Sequence, residues 1–219
     1  MNRLAIFDCD GTLVDSQANI CLAMEDCFVR AGLLPPPREQ SRRVVGLSLV
    51  EAMQAMAPEA EPAFHRALAE EYRIAFHRLR GERRIEEPLY DGIADMLDGL
   101  EADGWLLGIA TGKSDRGLRL CLERHCLAGR FVTLQTADRH PSKPHPSMVE
   151  AALAQTGADP DLSMMIGDTS FDMAMARAAG VRAIGVAWGY HEAEELIDAG
   201  AERVAEHPSQ VIQFARAST

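Results

Sequence analysis

The chain has 219 residues, 47% of them apolar, and a formal net charge of −11. That length suits one large domain or a domain with an insert, and that apolar content excludes a disordered chain. So acidic a balance argues against a broad nucleic-acid-binding face, and no apolar run approaches the roughly 18 residues of a membrane-spanning helix. The N-terminus runs into a strand with no basic, apolar, small-residue signal pattern, so the expected location is the cytoplasm. Five cysteines (Cys9, Cys21, Cys27, Cys121, Cys126) form no C-x-x-C pair, which predicts reduced thiols rather than disulfides or a zinc site.

Leu4-Ala5-Ile6-Phe7 reads as a buried strand, followed at once by Asp8-Cys9-Asp10-Gly11-Thr12. At a strand's period of two, Asp8 and Asp10 share a side and Cys9 faces away. Two such carboxylates repel and resist desolvation, which a divalent cation would relieve. A solvated Asp-Gly turn is the plainer alternative. Residues 16–31 carry Ile20, Met24, Cys27, Phe28 and Ala31 at helical spacing, with Ser16 as candidate cap. Gly32 and Pro35-Pro36-Pro37 interrupt it. Helices are predicted near 39–45, from Ser48 (Leu49, Met53, Met56) and from Pro62 (Phe64, Leu68, Tyr72, Phe76, Leu79). No strand is convincing between 16 and 86. A charged stretch, Arg80 to Glu87, and Pro88 close the segment.

Beyond it the pattern alternates. Strands are predicted at Trp105 to Ala110, Phe131 to Leu134, Leu162 to Ile166, Val181 to Val186 and weakly at 202–205. Helices fall at 92–103, Ser114 to Cys126, Pro146 to Gln155, Phe171 to Ala179, 192–198 and 208–216. Such alternation indicates an α/β fold of βαβ units on a parallel sheet. Right-handed crossovers bring all strand C-termini to one edge, where ligands bind.

Four polar clusters meet that edge: Asp8 with Asp10, Thr111-Gly112-Lys113-Ser114, Lys143-Pro144-His145-Pro146, and Gly167-Asp168 with Asp172. Gly112-Lys113-Ser114 lacks the preceding glycine of a nucleotide-binding P-loop, because position 107 is Leu107. Thr111 can hold one phosphate at a helix start, or simply close a turn beside a Ser114 cap. Lys143 is aimed inward by its prolines, or is a solvated loop lysine. Asp168 and Asp172 bind a cation, or serve a helix start.

The clusters in this order, and the near-complete match over Asp8 to Ser16, make the chain resemble the haloacid dehalogenase-like hydrolases. Within them it is similar to the branch with an all-helical cap inserted after the first strand, and to the phosphoglycolate phosphatase group. The resemblance covers nearly the whole chain. It implies a Rossmann-like doubly wound parallel sheet core at 1–15 and 87–219 and a helical cap at 16–86. It implies Mg²⁺-dependent phosphoryl transfer through an aspartyl phosphate, with Asp8 as nucleophile and Asp10 as general acid and base. Thr111, the Gly112 backbone and Lys143 would hold the phosphoryl oxygens. Asp8, the Asp10 main-chain carbonyl and Asp168 would bind Mg²⁺, with Asp172 orienting Lys143 or standing in the second layer. A carboxylate is ionised at neutral pH and needs no base to activate it, which suits Asp8.

The second aspartate separates phosphate esters from halides, which leave unprotonated. The absence of lysine over 16–79 argues against phosphonate cleavage by relatives that use a cap lysine. The expected substrate is a small phosphorylated metabolite, with 2-phosphoglycolate the leading choice, handled by a monomer or homodimer away from nucleic acid and membrane. A sugar-phosphate mutase (beta-phosphoglucomutase-like) or pyrophosphatase on this scaffold is the alternative, and a non-catalytic metabolite- or protein-binding member a further one. The resemblance places the Gly46-Leu47-Ser48 break near the site, and Arg42 or Arg43 is expected to reach the substrate's non-reacting end. Trp188-Gly189-Tyr190 is expected at the same edge.

Overall fold

Strand β1 (Asn2–Phe7) shows why the middle of this sheet is apolar without interruption. Leu4, Ala5, Ile6 and Phe7 are wholly buried. Alternation sends Ala5 and Phe7 into one apolar cluster and Leu4 and Ile6 into another on the opposite face. A parallel strand covered on both sides has no polar face to show. We describe residues 2–82 and 86–217 of a computed structural model.

After β1 come four helices, α1 (Gln17–Arg30), α2 (Arg38–Arg43), α3 (Leu49–Met56) and α4 (Pro62–Gly81). They share an apolar cluster of their own, built on Met24, Phe28, Met53, Leu68 and Leu79. The chain leaves the sheet and returns to it side by side: Val14 bridges Leu89 antiparallel, and Asp15 N donates to Pro88 O at 2.8 Å. The expected far boundary of this insert abuts residues 83–85, which lie outside the described residues. The remaining elements are α5 (Ile93–Ala102), β2 (Trp105–Thr111), α6 (Asp115–Arg124), β3 (Phe131–Thr136), α7 (Ser147–Thr156), β4 (Ala158–Gly167), α8 (Ser170–Ala178), β5 (Arg182–Val186), α9 (Ala193–Asp198), β6 (Arg203–Ala205) and α10 (Pro208–Arg216).

The sheet runs β3-β2-β1-β4-β5-β6 with every pair parallel. Strand order reverses on either side of β1, so the tips of β2, β1 and β4 stand together at the switch point. Among the described residues no helix is long and apolar enough to cross a membrane.

Local differences from expectation have physical causes. β3 continues through buried Gln135 and Thr136, whose polar groups bond to Thr133, Gln155 and Asp115. β4 starts four residues early, but its pairing with β1 shifts between Ala158 and Ser163. Ser114 caps α6 through Gly117 N at 3.2 Å. Ser16 and Ser48 occupy N-cap positions without making a side-chain cap bond. Ser16 instead donates to the Asp10 carboxylate. In α4, Leu68 and Leu79 are buried, whereas Phe64, Tyr72 and Phe76 are only partly so. Tyr72 and Phe76 stack at 5.9 Å and line a cavity.

Candidate active site

Asp8 follows the last residue of β1 and is anchored by its own N–H donating to Ile166 O at 2.9 Å. The chain then turns sharply. Leu13 N and Val14 N both donate to Cys9 O, at 2.9 and 3.0 Å. Gly11 has φ +84°, and a Cβ there would overlap the Asp168 carboxylate. Only glycine suits both that backbone conformation and that proximity. Cys9 points away as alternation demands, its Sγ 3.9 Å from Cys121 Sγ in the core. The Cys121 contact first, and burial second, push the Cys9 thiol well above its usual range. It stays protonated and is no nucleophile.

Lys143, Asp168 and Asp172 surround Asp8, all essentially without solvent exposure. Lys143 Nζ lies 3.0 Å from Asp8 Oδ1 and donates to Asp172 Oδ1 at 2.6 Å. The other Asp172 oxygen accepts from Thr169 Oγ1 at 2.7 Å and Thr169 N at 3.1 Å, the capping box of α8. Asp168 accepts from Thr12 Oγ1 at 2.7 Å and from Tyr190 N at 3.0 Å. Both Asp8 oxygens are buried: Lys143 is the partner of Oδ1, and Oδ2 has no hydrogen-bond partner among the described residues.

Burial raises the Asp8 carboxyl to about 7, against the pull of Lys143. Burial and the neighbouring Asp8 and Asp172 charges raise Asp168 well above the carboxylate range. Burial opposes the Lys143 charge, but Asp172 and Asp8 outweigh it and hold it ionised. Three carboxylates against one ammonium, nearly without solvent exposure, resist full ionisation unless a further cation joins them. The carboxylate oxygens of Asp8, Asp168 and Asp172 lie within 4.8 Å of one another and can hold a metal ion. Oxygen donors of this charge suit a hard divalent cation.

Asp10 is not in that trio, because its carboxylate turns elsewhere. Its Oδ1 lies 2.8 Å from Lys113 Nζ and also accepts from Ser16. Lys113 Nζ in turn donates to Glu87 Oε1 at 2.8 Å, and Glu87 Oε2 accepts from Arg80 at 3.0 Å. Thr111 is buried at the tip of β2 and accepts from Lys113 N at 3.2 Å. A Cβ on Gly112 would stand 2.7 Å from Leu47 O and 2.9 Å from Gly46 O, so the insert touches the second cluster there.

A cavity of about 900 Å³ opens over Asp8 and Asp10. Thr111, Gly112 and Lys113 line it on the sheet side, and Gly46, Leu47 and Ser48 on the helical side, where the sequence places that break. Arg42 and Arg43 do not line it. Arg43 is exposed and pairs with Glu195. α2 reaches the cavity wall with Ser41 rather than with these arginines, and the arginines that line it are Arg66, Arg73, Arg80 and Arg116. Tyr190 does come to the sheet edge, packed with Ile20 and Val45.

Sequence reasoning missed Lys113, Glu87 and Ser16 as site residues. One signal was available for the first. The chain has 22 basic residues but only two lysines, Lys113 and Lys143. Both stand beside a first-cluster aspartate.

The Haloacid dehalogenase-like hydrolase family matches residues 5–186, and the chain belongs to that family. A probable phosphatase, IndB, of Dickeya dadantii is 33% identical over 99% of this chain and 95% of its own length. The phosphoglycolate phosphatase of Pseudomonas putida is 31% identical over 98% and 78%. The crystal structure of a predicted phosphatase from Clostridium acetobutylicum superposes with a TM-score of 0.89 at 24% identity, covering 99% of each chain, and shares the fold.

Proposed function

We propose that the protein is a Mg²⁺-dependent phosphatase acting on small phosphorylated metabolites through an aspartyl phosphate on Asp8. The observation that carries this is the Asp8 carboxylate itself, buried, with Lys143 Nζ 3.0 Å from Oδ1 and with Oδ2 unpartnered among the described residues. A structural carboxylate would be hydrogen-bonded, whereas a nucleophile must keep an oxygen uncommitted. Asp8 attacks phosphorus, Asp10 protonates the departing oxygen, and Asp10 then takes a proton from the water that hydrolyses the acyl phosphate. Lys143, the Thr111 hydroxyl and the Gly112 N–H hold the phosphoryl oxygens. Asp172 keeps Lys143 in place, as their 2.6 Å bond suggests. Asp8, Asp168 and the Asp10 main-chain carbonyl would hold Mg²⁺. When bound, the ion offsets the repulsion between an anionic nucleophile and an anionic ester. The helices of the insert act as a cap that covers the cavity during turnover.

The cavity supports a narrower reading. It sits at the large end of the ~300–1,000 Å³ typical of small-molecule sites. Arg66 and Arg116 stand exposed in its lining and form no ion pair among the described residues. We therefore propose a phosphate monoester bearing a second anionic group, with 2-phosphoglycolate the simplest such compound and larger phosphorylated acids also fitting.

The test is turnover of p-nitrophenyl phosphate and a panel of phosphorylated metabolites with Mg²⁺. Asp8→Asn should abolish all of it, a loss of ~10³-fold or more. Retained turnover in that variant would overturn the reading.

A further inference from the structure

We propose that Lys113 is the positioning residue for Asp10, held in place by Glu87 and, through Glu87, tied to Arg80 of the helical insert. The inference rests on the proposed role of Asp10 as general acid. It concerns the one basic residue of the second cluster, which neither the phosphate-binding nor the cation-binding scheme uses.

The geometry is that of a clamp. Lys113 Nζ contacts Asp10 Oδ1 and Glu87 Oε1, each at 2.8 Å, and its side chain is 9% exposed. Burial opposes its charge, but the Asp10 and Glu87 carboxylates more than compensate and keep it firmly protonated. Glu87 is itself buried, with only 1% exposure. Its second oxygen accepts from Arg80 at 3.0 Å, and its main-chain carbonyl accepts from His125 Nε2 at 2.6 Å. Lys113 Nζ is thus held between two carboxylates, one of them that of Asp10. On the other side, Ser16 donates to the same Asp10 oxygen. With Oδ1 engaged twice, Oδ2 is the oxygen left for the leaving group.

Residue type matters here. Twenty of the 22 basic residues are arginine, yet this position is lysine. A compact ammonium with three donors fits between two carboxylates where a planar fork would not. General acids act only at hydrogen-bonding reach of the proton's destination, so a carboxylate free to rotate loses much of its effect.

Arg80 adds a link to the rest of the molecule. It lies in the last turn of α4, and its guanidinium also sits over the Phe76 ring at 5.4 Å. A continuous chain, Arg80–Glu87–Lys113–Asp10, therefore joins the insert to the acid. Movement of α4 toward or away from the sheet is registered at the group that must protonate the leaving oxygen.

The test uses the full chain with Mg²⁺ and two aryl esters, p-nitrophenyl phosphate, whose leaving group needs little protonation, and phenyl phosphate, whose leaving group needs more. The quantity is kcat/KM, which reports steps up to departure of the alcohol and not the later hydrolysis of the acyl phosphate. Lys113→Met should cost at least ~10-fold more on phenyl phosphate than on p-nitrophenyl phosphate. Glu87→Gln should move the ratio the same way by a smaller factor. In an Asp10→Asn background, Lys113→Met should add no further loss on phenyl phosphate, since a positioning residue has nothing left to position. Lys113→Met leaves Glu87 paired with Arg80, which favours folding. If it nevertheless fails to fold, the Glu87→Gln ratio decides. Equal losses on both esters, or additive losses in the double variant, would overturn the proposal while leaving the phosphatase reading intact. An active Asp8→Asn enzyme would remove both.

Discussion

Asp8 and Asp10 are chemically identical and two positions apart, yet their surroundings separate them. Asp8 meets an ammonium at one oxygen and two further carboxylates nearby, and its other oxygen has no hydrogen-bond partner among the described residues. Asp10 meets Lys113 and a hydroxyl at the floor of the cavity. Two carboxylates in different environments can take two roles, one attacking and one moving protons. The same reasoning applies to cations. Lys143 and Lys113 stand at the strand tips beside Asp8 and Asp10, so the remote end of a substrate meets the arginines of the wall instead. We predict that Arg66→Ala and Arg116→Ala raise KM for 2-phosphoglycolate by about 3- to 10-fold, as loss of an exposed charged contact implies. Their kcat on p-nitrophenyl phosphate should hold. Steady-state kinetics check this, and unchanged KM in both variants would remove the second-anion reading. Arg42 and Arg43 were the sequence candidates for this task. Their spacing identified a basic helix end but carried no information on which way it would face. Glu195, more than 150 residues away in the chain, is what claims Arg43.

At the scale of elements, each strand tip was legible because apolar runs end abruptly in polar residues there. β1, β2 and β4 terminate within a residue or two of the expected places. The expected end of β3 at Leu134 falls two residues short because Gln135 and Thr136 are polar, and their burial depends on hydrogen bonds to α6 and α7 that no local pattern reveals. Helix α10 illustrates a contact with a pH signature. Arg216 near its end bonds to Asp103, which follows α5. Those hydrogen bonds hold the Asp103 carboxyl below its usual value. A depressed carboxylate stabilises the fold above its unfolded pKa, and that contribution fades as pH falls through the lower folded value. Asp103→Asn should therefore lower Tm at pH 6, by no more than ~4 °C for so exposed a pair. The difference from wild type should shrink below the ordinary carboxylate pKa of ~3.9. Thermal melts across that range check it, and a difference independent of pH would exclude the linkage.

Across the whole molecule, a formal charge of −11 repels anionic substrates at long range. The cavity lining offsets this locally with Arg66 and Arg116, while Arg73 pairs with Glu70 and Arg80 with Glu87. Behind Asp8 the balance is reversed, three carboxylates facing one lysine. A divalent cation binding there stabilises the folded state alone, because the unfolded chain scatters the ligands. At a concentration ~100 times its Kd the gain is ~2.7 kcal/mol. We predict that millimolar Mg²⁺ raises Tm over that in EDTA, and that Asp168→Asn abolishes the increment. Identical melts of the wild-type protein in the two conditions would argue against a cation site.

Order and chemistry of the four clusters, the alternating core and the strand-free helical segment expected over 16–86 are properties of the amino-acid sequence alone, because periodicity and strand ends are local. What each charged group touches was decided only by the tertiary structure. Lys113 lies 103 residues from Asp10 and 26 from Glu87, and Lys143 lies 135 from Asp8. Such partners meet because parallel strand order brings their tips to one edge, and Coulomb attraction depends on distance in space rather than along the chain.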